Sequence, residues 1–221
     1  MDFIFMLTRG DMTVEDCLEV IDLIAPVGLK HVGFKDVGVD AGVLRELNRR
    51  IKATGATSYM EVVSTSHEAT LASARAAVSI GVERLLGGTD AEGILSVLKG
   101  SGIAYYPFPG RPEGHPTVLG GSPADVAADC RRFSALGCAG VDLLAYRASE
   151  ADPLELVRTA RAATSGYLIV AGSVDSPRRI KELAKAGADA FTIGSAAFDG
   201  SFSSRKGSLL SQLRDIVKAS G

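Results

Sequence analysis

The sequence predicts an α/β chain folded as a single (β/α)8 TIM barrel over residues 1–221. Three observations point there: eight short strand-like runs, a helical pattern after each, and recurring capping residues before helices with glycines after them. Strict alternation of strand and helix implies parallel strands, and eight repeats are enough for the sheet to close on itself.

The strand-like runs lie at 3–7, 31–34, 57–63, 83–86, 103–106, 140–144, 167–170 and 190–193. Between and after them, apolar residues recur at helical spacing. They are Val14, Cys17, Leu18 and Ile21; Val43, Leu47 and Ile51; residues 69–78; Ile94 and Leu98; Val126, Cys130 and Phe133; Leu154, Val157 and Ala160; Ile180 and Leu183; and Leu209, Leu213 and Ile216. Thr13 with Asp16, Ser122-Pro123 with Asp125, and Ser176-Pro177 read as helix starts. Gly28, Gly55, Gly81, Gly100, Gly137, Gly166 and Gly187 read as helix stops.

A chain of 221 residues with 46% hydrophobic content is long enough for one large core. A net charge of -2 without a basic tract argues against nucleic-acid or membrane partners, which leaves small molecules. Three cysteines without a CxxC pair and three scattered histidines suggest neither a disulfide framework nor a metal site, and they fit a reducing compartment. The N-terminus has no basic leader, and no run approaches the roughly 20 apolar residues of a membrane span. A cytoplasmic protein is expected.

The stretch from 167 to 200, YLIVAGSVDSPRRIKELAKAGADAFTIGSAAFDG, reads as strand, helix, strand and a short helix. Both strands end in small residues, Ala171-Gly172-Ser173 and Ile193-Gly194-Ser195. Glycines beyond neighbouring parallel strands let backbone N–H groups approach an anion closely, so Gly172, Ser173, Gly194 and Ser195 are candidate phosphate ligands.

These two strand ends resemble strands 7 and 8 of the phosphate-binding (β/α)8 barrels. That superfamily includes the histidine-biosynthesis isomerase, the tryptophan-biosynthesis barrels, ribulose-phosphate epimerase and N-acetylmannosamine-6-phosphate epimerase. The resemblance is close over about 35 residues and otherwise architectural. It implies a phosphorylated small-molecule substrate and leaves the reaction open. The histidine-biosynthesis isomerases carry acids at the ends of strands 1 and 5. Here those strands end in Thr8-Arg9 and Tyr105-Tyr106-Pro107, which counts against their reaction.

Strand alternation selects the inward polar side chains. If Val32, Phe34, Met60, Val62, Val141 and Leu143 face helices, then Lys35, Glu61 and Asp142 converge inside the barrel. A cation beside carboxylates suits enolisation, in which one group removes a proton next to a carbonyl and another stabilises the carbonyl oxygen. These three are the candidate catalytic residues, and no cofactor or metal is required. Arg9, Arg111, His115 and Arg147 are candidate substrate ligands. Arg9, Asp11 and Asp36 lie at or just past strand ends; Asp11 suits the helix beginning near Thr13 equally well, Asp36 reads as screening Lys35, and Tyr146 is a further candidate contact. Ser64 and Ser66 suit a helix cap. The loop at 107–121 is long enough to act as a lid, and Gly87-Gly88-Thr89 reads as a tight turn or a second anion site.

An isomerase or epimerase of a phosphorylated sugar or sugar acid is the leading expectation. An aldolase-type lyase with a Schiff base at Lys35 is an alternative. In that family the lysine usually sits on strand 6, where this chain has Asp142. A non-catalytic phosphometabolite sensor is a second alternative. Barrels of this class often form homo-oligomers, which is a further possibility here.

Overall fold

The computed structural model describes residues 1–64, 66–114 and 116–221. Eight parallel strands form one sheet: β1 Asp2–Met6, β2 His31–Lys35, β3 Thr57–Val62, β4 Arg84–Gly87, β5 Ala104–Tyr106, β6 Gly140–Leu143, β7 Tyr167–Val170 and β8 Ala190–Ile193. Each overlaps one strand-like run of the sequence. β1 pairs with both β8 and β2. The ring is completed where the Ala139 N–H donates to the Tyr105 carbonyl and the Asp142 N–H to the Pro107 carbonyl, each at 3.0 Å.

The pleat divides the apolar residues into two sets. Phe5, Val32, Phe34, Met60, Val62, Val141, Leu143 and Phe191 pack outward against the helices. Ile4, Met6, Tyr59, Leu86, Tyr106, Ile169 and Ala190 fill the interior. Since side chains alternate with period two, Lys35, Glu61 and Asp142 share the interior with the second set. At the other end of the barrel, the Arg84 guanidinium lies over the rings of Tyr59, Tyr106 and Tyr167.

The outer layer comprises α1 Cys17–Ile24, α2 Ala41–Ala53, α3 His67–Ile80, α4 Ala91–Leu98, α5 Pro123–Ala135, α6 Pro153–Ala163, α7 Pro177–Ala186, the single-turn α8 Ser195–Phe198 and α9 Leu209–Ser220. Ser122 and Asp125 form a capping box at α5, Ser176 accepts from the Arg179 N–H at α7, and Ser66 caps α3. Among the described residues, no helix is long and apolar enough to cross a membrane.

Two local readings are corrected. Thr13 does not cap α1, which begins at Cys17. It lies instead in a hairpin pairing Thr8–Arg9 with Met12–Thr13. Gly166 is not a left-handed helix stop. α6 ends in extended Thr164, and a Cβ at residue 166 would lie 2.9 Å from the Cα of Gly140, so this glycine serves the close approach of β6 and β7. A second hairpin, Arg111–Glu113 with Val118–Gly120, occupies the loop after β5.

Candidate functional site

A cavity of about 300 Å³ opens at the C-terminal ends of the strands, and Lys35, Glu61, Asp11 and Arg147 line it together with Gly172, Ser173, Gly194 and Ser195. Barrel active sites occupy this face.

Lys35 ends β2. Its backbone is fixed from the first hairpin: the Thr13 hydroxyl donates to the Lys35 carbonyl and accepts from the Lys35 N–H, both at 2.8 Å. Its Nζ lies 3.0 Å from Asp11 Oδ1 and 3.0 Å from Glu61 Oε1, and all three side chains are nearly buried. Asp11 stands at φ 60 in the hairpin turn and also receives both terminal nitrogens of Arg147, at 2.8 and 2.9 Å. Arg147 donates further to the Thr117 carbonyl at 3.2 Å. A planar guanidinium matched to a carboxylate in this way fixes both groups.

The protonation states follow from this geometry. Burial alone would push the Lys35 amine down, but Glu61 and Asp11 outweigh it and the net shift is upward, so Lys35 is an ammonium. Burial would raise Asp11, yet the Arg147 hydrogen bonds and the Lys35 charge hold it below the usual carboxylate range. Asp142 goes the other way. It is fully buried, neither carboxyl oxygen has a hydrogen-bond partner among the described residues, and it does not line the cavity. Burial, then the charge of Glu61, raises it well above the usual range, against Lys35 and Arg147. Asp142 is a buried acid of raised proton affinity, set back from the cavity wall.

The two glycine-bearing turns meet this cluster. Gly172 and Ser173 both adopt positive φ, 77 and 56. A Cβ at residue 172 would fall 2.4 Å from Arg147 Nε, so glycine is what lets the guanidinium cross that turn. At residue 194 a Cβ would meet the Thr8 hydroxyl at 2.6 Å. The N–H groups of Gly172, Ser173, Gly194 and Ser195 have no protein acceptor among the described residues.

The remaining candidates lie apart. Arg9 is exposed and pairs with Asp199 at 3.0 Å; Asp199 lines the cavity and Arg9 does not. Arg111 pairs with Glu150 at 3.2 Å on the surface of the second hairpin and is outside the lining. His115 lies outside the described residues. Tyr146 lies under Arg179 instead of in the cavity. Asp36 does not screen Lys35; it accepts from Ser73 and from the Val63 N–H. Gly88 and Thr89 border a separate space of about 90 Å³, and the Phe108 ring occupies the volume beside Gly87.

Asp11 is the cavity residue that the sequence left undecided between the strand end and the first helix. Its signal was position, since Gly10-Asp11 lies just past the end of strand 1. Among the described residues, no three His, Cys, Asp or Glu side chains group as metal ligands.

No protein-family model and no curated protein matches the sequence. Solved structures do match the fold. Native KDPGal superimposes with a TM-score of 0.71 at 14% identity, covering 99% of this chain and 94% of the other. Orotidine 5'-phosphate decarboxylase from Pyrococcus horikoshii OT3 gives 0.70 at 12%, covering 99% and 98%. N-acetylmannosamine-6-phosphate 2-epimerase from Clostridium perfringens gives 0.63 at 10%, covering 88% and 86%. At these identities the likeness is one of fold: the chain is a (β/α)8 barrel of the architecture shared by these proteins.

Proposed function

We propose that the protein is an isomerase or epimerase acting on a phosphorylated sugar or sugar acid by proton transfer without a cofactor. One observation carries this reading: the Lys35–Glu61 pair at 3.0 Å lines the same cavity as the Gly172-Ser173 and Gly194-Ser195 turns. The free N–H groups of those turns hold the phosphate and so set the position of the carbonyl end. Two of the structures with this fold are named for phosphate-bearing compounds, which supports the reading.

In the reaction Glu61 removes the proton from the carbon beside the carbonyl. The Lys35 ammonium donates to the carbonyl oxygen as negative charge develops there, in a site too dry to screen it. Returning the proton from Glu61 to the neighbouring carbon gives an isomer; an epimer forms when the enediolate takes a proton on the opposite face from water, since Glu61 and Lys35 stand together on one side. Asp11 and Arg147 hold Lys35 in place.

The same contacts disfavour a Schiff-base lyase, which needs Lys35 as a free amine. Asp11 and Glu61 both hold it protonated. A sensor would use the turns without needing the pair.

The test is incubation with phosphorylated aldoses, ketoses and sugar acids in D₂O, followed by NMR. The expected result is deuterium at the carbon beside the carbonyl of one substrate, with exchange slowed roughly 10²- to 10⁴-fold in Lys35→Met and Glu61→Gln. A substrate that binds but neither exchanges nor converts would contradict the proposal, and trapping at Lys35 by borohydride would favour the lyase.

A further inference from the structure

We infer that the reacting end of the bound molecule carries no charge, so that the site takes a phosphorylated aldose or ketose and rejects a phosphorylated compound with a carboxylate at that end. This rests on the cavity reading proposed above and narrows it.

Among the described residues lining the cavity there are two cations, Lys35 and Arg147, and four carboxylates, Asp11, Glu61, Asp175 and Asp199. Both cations are already engaged. Asp11 takes Lys35 at 3.0 Å and both terminal nitrogens of Arg147, and Glu61 takes Lys35 again. Asp175 and Asp199 are matched by Arg179 and Arg9, which lie outside the lining. A substrate carboxylate next to Lys35 would therefore either face Asp11 and Glu61 unpaired or displace Asp11 from Lys35, leaving that buried carboxylate with Arg147 as its one cation.

A carbonyl or hydroxyl makes no such demand. An ammonium has three N–H donors, and Asp11 and Glu61 occupy two. Among the described residues the third meets no protein acceptor, which leaves it for one neutral oxygen. The Nε of Arg147 lies across Gly172, beside the turn assigned to phosphate, while its terminal nitrogens are taken up by Asp11, which shares Oδ1 between Arg147 and Lys35. The cavity, at about 300 Å³, is at the small end of ligand sites, which suits a short carbon chain with one phosphate.

The test is calorimetric titration of the intact protein with dihydroxyacetone phosphate, 3-phosphoglycerate and inorganic phosphate. The neutral-headed compound is expected to bind at least about tenfold more tightly than the carboxylate-headed one. Asp11→Asn, which releases Lys35 and Arg147, should shrink or invert that ratio. Equal or tighter binding of 3-phosphoglycerate by the wild-type protein would overturn the inference while leaving the phosphate site standing. Binding of none of the three would overturn both. The wild-type comparison decides the matter even if the variant fails to fold.

Discussion

With its backbone at φ 60, Asp11 occupies a conformation that few non-glycine residues adopt, at a cost of about 1–3 kcal/mol. Lys35 and Arg147 offset that cost, and in return Asp11 determines where both cations point. Its depressed proton affinity has a sign. Above the ordinary value of 3.8 the contribution to stability is fully present, and it is lost as pH falls through the lower folded-state value. Asp142 has the opposite sign. The unfolded chain ionises it above 3.8 while the folded protein retains the proton, so stability falls as pH rises until the buried acid itself titrates. Asn mimics the neutral acid and removes that slope. Urea unfolding at pH 5 and pH 8 should show Asp142→Asn gaining on wild type at the higher pH; a constant difference would mean that Asp142 is ionised in the folded state.

At the scale of elements, the first hairpin and β2 act as one unit through Thr13, whose buried hydroxyl satisfies both backbone groups of Lys35. Thr13→Val keeps the shape and leaves a donor and an acceptor unpaired. A loss of about 1–3 kcal/mol is expected in denaturant unfolding, with turnover lowered because Lys35 shifts. A variant as stable as wild type would show that the tie is dispensable. This hairpin was invisible in sequence for a physical reason. Thr13 followed by Asp16 satisfies a helix-start pattern, but the Thr13 backbone pairs with Thr8 and its hydroxyl is taken by Lys35, and these tertiary contacts prevail. Lys35, Glu61 and Asp142 were legible because period-two alternation needs only neighbouring residues on one strand. Arg111 was not, since its partner Glu150 lies 39 positions away and no local pattern reveals it.

For the whole molecule, strand count and alternation with helices were readable because each repeat carries its own apolar period, and most of them a glycine stop signal. The two ends of the barrel then divide the work. Arg84, stacked among Tyr59, Tyr106 and Tyr167 at 5.2–5.8 Å from the ring centroids, closes the end away from the cavity. Arg84→Met is expected to cost about 1–2 kcal/mol of stability and to leave turnover unchanged, as measured by unfolding and by the D₂O exchange assay together. A selective loss of turnover would place function at the wrong end. The central claim is that the turns after β7 and β8 hold a phosphate and thereby deliver the substrate to Lys35 and Glu61. A crystal structure with inorganic phosphate tests it most directly. The account predicts an oxyanion about 2.7–3.2 Å from the amides of the Gly172-Ser173 and Gly194-Ser195 turns. A protein that leaves this cavity without phosphate at saturating concentration, or binds the ion elsewhere, would contradict it.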